Sequence, residues 1–394
     1  MIRLIVSFYN KVRNIILIIK NINIINSVKP KYIFYSENKS YQKYSYLLIQ
    51  LLAKKNPDGI FYVSSDIDDK IENLNIKNMF IGNGFFMQYF FNVVKAENIF
   101  LTITDLDNHV IKKTKNVNNY IYYFHSPVST TIQYMNEAFD NYDTILCNGE
   151  YQINEIQRAE SLKNNKKKKL IKSGYLYFDY LKEKINLQKN SNEILIAPSW
   201  NSNEVNFMNQ NLEFLIDEVL KKGFNVRFRP HPENFKRSAN IIEGFQKKFK
   251  NSKFILDDTV ENKEAMENAK CLITDNSGIA IEYILLFKKP VLYFEDVKKI
   301  HNSNFEKYND LITMEEKVKT TFGYIFTMNE IKNIDLIINN SIKDFKNKDN
   351  IIEKFTNENF YNFGLTVKNL DQVFNWVNHS IIHNKMIYDY KSCF

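Results

Sequence analysis

Short apolar runs of strand length alternate with helix-length segments along almost the whole chain, and that alternation restricts the fold more than any other feature. "KYIFYSE" (31–37), "GIFYVSS" (59–65), "NMFIG" (78–82), "IFLTIT" (99–104), "YIYYF" (120–124) and "YDTILCN" (142–148) read as strands, with helical patterns at 41–54, 84–95 and 149–162 between several of them. After a polar stretch at 181–193 the pattern resumes. "EILIAP" (193–198), "NVRFRP" (225–230), "KFIL" (253–256), "KCLIT" (270–274) and "PVLYF" (290–294) are strands, and helices are expected near 204–222, 236–250, 260–269 and 277–288. Strands that are apolar throughout are buried on both faces, which is the pattern of parallel sheets covered by helices. The sequence therefore predicts an α/β protein with two Rossmann-like domains.

At 394 residues the chain has room for two cores. The pattern places an amphipathic helix at 1–26, one domain at 27–185, a second at 190–360 and a helical tail at 361–394 that carries Trp376. The three cysteines, Cys147, Cys271 and Cys393, are far apart in sequence, and two sit in apolar strand contexts. They fit reduced thiols in a cytoplasmic protein, and no metal-ligand spacing appears. A net charge of +8 suits an anionic substrate or an anionic membrane surface. No zinc-finger spacing, aromatic RNP pattern or recognition helix accompanies it, so nucleic acid is not expected. The run Lys166–Lys169 reads as a solvated loop.

Near the N-terminus, Arg3, Lys11, Arg13 and Lys20 interrupt every apolar run before it reaches spanning length. No small-residue cleavage site follows, so a signal peptide is not expected. On a helical projection Arg3, Ser7, Asn10, Asn14 and Asn21 share one side, opposite Ile2, Ile5, Val6, Tyr9, Val12, Ile16 and Ile19. Such a helix either packs on the domain core or lies on the cytoplasmic face of the membrane.

In open α/β sheets ligands bind at the carboxyl ends of the strands. Four stretches put short polar groups there: "YFHSPVST" (123–130), "IAPSWN" (196–201), "RFRPHPEN" (227–234) and "TDNSG" (274–278). Arg229 and His231 bracket Pro230 in a loop stiffened by prolines, a pairing suited to a phosphate or pyrophosphate. Asp275, Asn276, Ser277 and Gly278 open an apolar helix, expected one strand away. Asn276 or Ser277 would cap it, and Gly278 admits a ligand to its free amides and positive dipole end. Pro198 and Ser199 stand at a neighbouring strand exit. Glu282, inside the apolar helix, suits either a ribose diol or a lysine partner. In the first half His125 and Ser126 follow a strand directly, which is where an imidazole would take a proton from a hydroxyl. Asp105, after another strand, is a further candidate for the same crevice. His109, His301, His379 and His383 have no comparable setting.

"RPHP" followed by "ITDNSGIAIEYILLFKKPVLYF" resembles the CDP-glycerol glycerophosphotransferase family of teichoic-acid primases and polymerases. "FHSP" stands where that family has Trp-His-Gly-Thr, "SGYLYFDYL" (173–181) resembles its Gly-Tyr-Pro-x-x-Asp-x-Leu segment, and "ILIAPSW" its Ala-Pro-Thr segment. The family's Asp-Tyr-Ser-Ser is here Asp275-Asn276-Ser277-Gly278, which lacks the tyrosine and second serine hydroxyls. The resemblance spans about 120–295 and implies a GT-B fold, two facing Rossmann-like domains with an acceptor domain first and a nucleotide-donor domain second. It implies His125 and His231 as catalytic, with Arg229, Asp275–Gly278, Pro198 and Ser199 around the donor phosphates, Glu282 on the ribose, and Ser126 and Asp105 on the acceptor side. The expected donor is CDP-glycerol or another CDP-polyol, with no metal or other cofactor required. The expected acceptor is a glycan or lipid-linked glycan of the cell envelope. A GT-B glycosyltransferase of capsule or lipopolysaccharide synthesis, using a nucleotide sugar, has the same sequence signature.

Overall fold

A computed structural model describes residues 2–104, 106–109, 111–186, 191–200, 207–208, 211–250, 253–295, 300–366 and 368–369, with backbone only for 2–7. Asp105, Trp376, Cys393 and nearly all of the expected C-terminal tail lie outside the described residues.

In chain order the elements are α1 (Ile2–Val28), β1 (Tyr32–Ser36), α2 (Lys39–Lys55), β2 (Ile60–Ser64), β3 (Lys77–Phe80), α3 (Phe85–Val93), β4 (Ala96–Leu101), β5 (Val117–Tyr123), α4 (Thr130–Gln133), β6 (Thr144–Cys147), α5 (Glu150–Lys163), β7 (Lys169–Lys172) and α6 (Leu176–Lys182). They continue with β8 (Glu193–Ile196), α7 (Leu212–Lys221), β9 (Asn225–Phe228), α8 (Pro232–Arg237), α9 (Ala239–Lys248), β10 (Phe254–Leu256), α10 (Lys263–Asn268), β11 (Ala269–Thr274), α11 (Gly278–Phe287), β12 (Val291–Phe294), α12 (Met314–Phe322), β13 (Tyr324–Phe326), α13 (Ile334–Phe345) and α14 (Asp349–Asn359).

The chain divides into two compact units. The first holds residues 1–125, 134–180 and 360–394, and the second holds 126–133 and 181–359. The second unit thus takes a short segment from the middle of the first half, and the described residues from Phe360 return to the first unit.

Each unit is built on one all-parallel sheet. The first has the order β3-β2-β1-β4-β5-β6-β7 and the second β10-β9-β8-β11-β12-β13. Both orders reverse direction after their first three strands, as in a Rossmann sheet, and the reversal opens a crevice at the strand carboxyl ends. In the second unit that point lies between β8 and β11, whose register runs Leu195 to Leu272 and Ile196 to Ile273. β8 therefore stands between β9 and β11. Arg229 and His231 are two strands from the Asp275 corner, not one, because connection order and spatial order differ across the reversal.

Central strands β1, β2, β8 and β12 are buried at every residue. In the second unit Ile194, Ile196, Val226, Phe228, Ile273 and Phe326 share one core with the helix residues Leu215, Ile216, Ile242 and Ile338. In the first, Phe34 stacks on Phe100 with ring centroids 4.4 Å apart.

Two strands lack a sequence signal, β7 and β13, and both are sheet edges. β13 is only three residues long, and β7 carries lysine at both ends, a device that deters pairing with other chains. β7 begins at the last lysine of the Lys166–Lys169 run, so that run is not wholly a solvated loop. Lys168 pairs with Glu160 at 3.4 Å, both side chains nearly buried, and burial lowers the Lys169 ammonium to about 8. The helix expected at 236–250 is two helices. Pro232 starts α8 at its first position, and the chain restarts at Ser238.

α1 contacts its unit through Ile18, Ile22 and Ile25, and buried Asn21 donates from Nδ2 to the Phe80 carbonyl at 2.8 Å. The packed stripe is therefore a third face that includes Asn21 from the expected polar side. Gly82 permits the approach: at φ +72° it has no side chain, and a Cβ there would meet Ile18 Cδ1 at 2.7 Å. The expected apolar face, with Tyr9, Val12, Ile16 and Ile19, is exposed to solvent together with Phe8 and Ile15.

Candidate active site

In the second unit, β8 and β11 end side by side and are pinned by one carboxylate. Asp275 accepts the Ser199 N–H at 2.8 Å on Oδ1 and the Ser199 hydroxyl at 2.6 Å on Oδ2. Thr274 Oγ1 donates to the Ala197 carbonyl at 2.6 Å, and Asn234 Nδ2 donates to the Ser199 carbonyl at 3.4 Å. Pro198, Ser199, Asp275 and Asn276 are all buried. Both Asp275 oxygens are engaged by Ser199, so the residue works as a bracket that fixes the corner.

That corner delivers the chain into α11. Ser277 is the N-cap residue with extended backbone (φ −108°, ψ 143°), yet its side chain makes no capping bond. Its amide donates to the Asp275 carbonyl and its carbonyl accepts from Ala280. The first-turn amides of Gly278 and Ile279 precede any intrahelical acceptor, and the first turn holds no acidic side chain. An anion is favoured there by the helix dipole. Ser126 and Val128, on the segment the second unit takes from the first half, lie directly over Gly278. Glu282 follows one turn further on, buried and accepting from Asn262 Nδ2 at 3.3 Å.

Arg229 leaves the end of β9 and is held by groups that the sequence does not announce. Its Nη1 lies 2.9 Å from Asp257 Oδ2 and 3.1 Å from Thr259 Oγ1, and its Nη2 donates to the Thr259 carbonyl at 2.8 Å. Burial acts to raise the Asp257 carboxyl, but Arg229 and Thr259 hold it below the usual range. The guanidinium is thus fixed in one orientation.

His231 is the N-cap of α8, and its Nδ1 accepts the Glu233 N–H at 3.2 Å. That bond leaves the proton of the neutral ring on Nε2, so the exposed histidine presents a donor rather than an acceptor. Beyond Ser199, Trp200 stacks on His301 with centroids 4.9 Å apart and planes 10° from parallel, and the Arg237 guanidinium stands 5.1 Å over the indole. His301 has no sequence signal because its partner lies about a hundred residues away in the chain.

In the first unit, His125 ends the run from β5. Tyr41 and Tyr44 meet its ring edge-on at 5.6 and 6.0 Å, and its carbonyl accepts the Tyr175 hydroxyl at 2.9 Å. Tyr175 belongs to the "SGYLYFDYL" segment, which accounts for the pairing of two distant motifs. Ser126, expected on the acceptor side, belongs to the second unit. Among the described residues, no group of three His, Cys, Asp or Glu side chains is arranged to hold a metal ion.

A profile of the CDP-glycerol:poly(glycerophosphate) glycerophosphotransferase family matches residues 19–327. The chain belongs to this family. It is a transferase, and its reaction moves glycerophosphate from a CDP-activated donor. No curated protein matches the chain by sequence. A variant of the wall teichoic acid polymerase TagF soaked with CDPG is similar in structure, with a TM-score of 0.57 at 15% identity over 96% of this chain and 99% of that one. The UDP-GlcNAc 2-epimerase of Methanocaldococcus jannaschii gives a TM-score of 0.55 at 16% identity, covering 88% of this chain and 99% of its own. An S. aureus MnaA–UDP structure gives 0.56 at 10%, covering 89% and 97%. These likenesses show a GT-B-like fold, shared by a wall teichoic acid polymerase and a UDP-GlcNAc 2-epimerase. The family match is what separates the two chemistries.

Proposed function

We propose that this glycerophosphotransferase extends or primes an envelope polymer of the teichoic-acid kind, with a glycan or lipid-linked glycan as acceptor. The donor diphosphate lies at the N-terminus of α11. The Gly278 and Ile279 amides, the Ser277 hydroxyl and His231 Nε2–H donate to its oxygens, and Arg229 adds positive charge from the end of β9. Glu282 accepts from the ribose hydroxyls. The Asp275–Ser199 bracket keeps the corner open in the absence of ligand, so that little reorganisation accompanies charge development.

His125 takes the proton of the attacking acceptor hydroxyl. The hydroxyl oxygen forms a bond to the glycerol-side phosphorus. The bond from that phosphorus to the bridging oxygen breaks, and CMP leaves with that oxygen. His231 and the α11 amides stabilise the charge that gathers on the departing CMP. The observation that supports this reading is the family match over a chain whose β11–α11 corner has an uncapped, amide-lined, non-acidic start. His125→Ala tests it. CDP-glycerol binding is expected to persist, while turnover falls by roughly 10²–10⁴. Unchanged turnover would exclude His125 as the base.

The surface of α1 supports a reading of where the acceptor is met. Phe8, Val12, Ile15, Ile16 and Ile19 form one exposed stripe, with Lys11 on one flank and Arg13 and Lys20 on the other. Phe85 and Tyr89 are exposed on α3, which packs beside α1. An apolar stripe edged by cations is the form that lies on an anionic lipid surface. Among the described residues no helix is long and apolar enough to cross a membrane. Contact with the cytoplasmic leaflet would bring the enzyme to a lipid-linked acceptor.

A further inference from the structure

His125 is the last residue before the chain passes into the second unit. Two things set the direction of its imidazole: the rings around it and the peptide that carries it. Tyr41 and Tyr44, three residues apart on α2, meet the ring edge-on. Tyr44 also stacks with Tyr175, with centroids 6.4 Å and planes 27° apart. The peptide is held by Tyr175, whose hydroxyl donates to the His125 carbonyl at 2.9 Å across 50 residues of chain. Tyr175 is only 2% exposed and packs edge-on against Phe178 at 4.9 Å. Its hydroxyl is therefore placed to act on His125 and not on a substrate.

Tyr175 is in turn gripped by residues 360–366, the segment with which the chain returns to the first unit. Gly174 precedes it with φ +90°, and a Cβ there would meet Thr366 Oγ1 at 2.7 Å and the Tyr361 carbonyl oxygen closer still. Glycine is thus required both by the backbone conformation and by the close approach. Asn362 Nδ2 donates to the Ser173 carbonyl at 3.0 Å and to the Lys172 carbonyl at 3.3 Å. The Tyr361 N–H donates to the Asn148 carbonyl at 2.8 Å. Phe360 and Phe363 pack on Phe178 with centroids 5.5 and 4.7 Å away. The segment therefore holds the loop both before and after Tyr175.

We infer that Tyr175 is a positioning residue for the His125 imidazole, and that residues 360–366 are the clamp that keeps it in place. The inference rests on the reading of His125 as the base and adds what aims it. A hydrogen bond to the main chain fixes the peptide from which the side chain departs, while Tyr41 and Tyr44 limit the swing of the ring. The proton acceptor is then aligned before the acceptor hydroxyl arrives.

A double-mutant cycle tests this, read as the single-turnover rate with CDP-glycerol and a lipid-linked saccharide acceptor. Tyr175→Phe keeps the ring and removes only the hydroxyl. It is expected to slow turnover roughly tenfold, since a misplacement of 1 Å costs about 10²-fold and this one is smaller. Donor affinity and acceptor KM are expected to stay unchanged, and the melting temperature to fall by no more than roughly 6 °C, the effect of one hydrogen bond. In the His125→Ala background the same substitution is expected to change the residual rate by less than about twofold, because the group it aims is gone. Asn362→Ala loosens the clamp without altering Tyr175 and is expected to slow turnover about threefold, again only when His125 is present. It carries the test if Tyr175→Phe does not fold. Equal losses with and without His125 would show a purely structural role and overturn the inference. Full activity in Tyr175→Phe, or a raised acceptor KM, would overturn it as well and leave the catalytic reading of His125 intact. A His125→Ala enzyme as fast as the wild type would overturn both.

Discussion

Replacing Asp275 separates a bracket from a ligand. Asp275→Ala removes the acceptor of two hydrogen bonds and leaves the Ser199 N–H and hydroxyl buried without partners. Hydrogen bonds to a charged group contribute about 1.5–3 kcal/mol each, so the expected loss is about 3–6 kcal/mol. For a unit of this size that lowers the melting temperature by roughly 6–24 °C. Asp275→Asn keeps an oxygen for the Ser199 N–H and turns an amide donor toward the Ser199 hydroxyl, which then accepts. Its cost is about 1 kcal/mol. Scanning calorimetry of the second-unit transition, paired with titration of CDP-glycerol, reads both quantities. The account expects Asp275→Ala to lose stability and donor affinity together and Asp275→Asn to keep both nearly intact. An Asn variant that melts like the wild type but no longer binds the donor would refute it, because the carboxylate would then be touching the nucleotide.

Other consequences follow from the same geometry. His231→Asn keeps an N-cap acceptor for the Glu233 amide but removes the outward Nε2–H, so it is expected to melt normally while kcat falls roughly 10²–10³-fold. Loss of folding without loss of rate per folded molecule would contradict it. Lys289 donates to the carbonyls of Met266, Glu267 and Ala269, and burial, opposed by Glu267, lowers its ammonium from 10.5 to about 8. Between those values the unfolded chain holds the proton that the folded one has released, so stability rises with pH. Denaturant midpoints from about pH 8 to about 9.5 should climb in the wild type relative to Lys289→Met, and parallel curves would refute the assignment. Exchanging Lys11, Arg13 and Lys20 for glutamine should abolish co-sedimentation with anionic vesicles without lowering turnover on a water-soluble acceptor. Sedimentation that persists would show that α1 is not the contact.

The architecture was legible because both sheets are parallel and buried, which makes their inner strands continuous apolar runs. β7 and β13 were not, because β7 is two apolar residues between lysines and β13 is only three residues long. The Asp275–Gly278 corner was legible as a strand-to-helix exit, and Arg229 and His231 as a stiffened loop. What local reading could not supply was partnership at long range. Asp275 reads as a phosphate-site residue, and the sequence does not show that Ser199 donates to both its oxygens. Arg229 reads as a cation in a stiffened loop, and the sequence does not show that Asp257 and Thr259 hold its guanidinium. Ser126 and His125 are neighbours in sequence, and nothing local marks that the boundary between units falls between them. Asn21 was placed on a solvent face because α1 carries two apolar stripes and the projection finds only the larger.

The central claim is that the electrophile is the glycerol-side phosphorus. CDP-glycerol labelled with ³²P in that phosphate, incubated with enzyme and a lipid-linked saccharide acceptor, tests it in one step. The account predicts that the label moves to the acceptor and that CMP is the nucleotide released. Label retained in released CDP, with no phosphate gained by the acceptor, would contradict it.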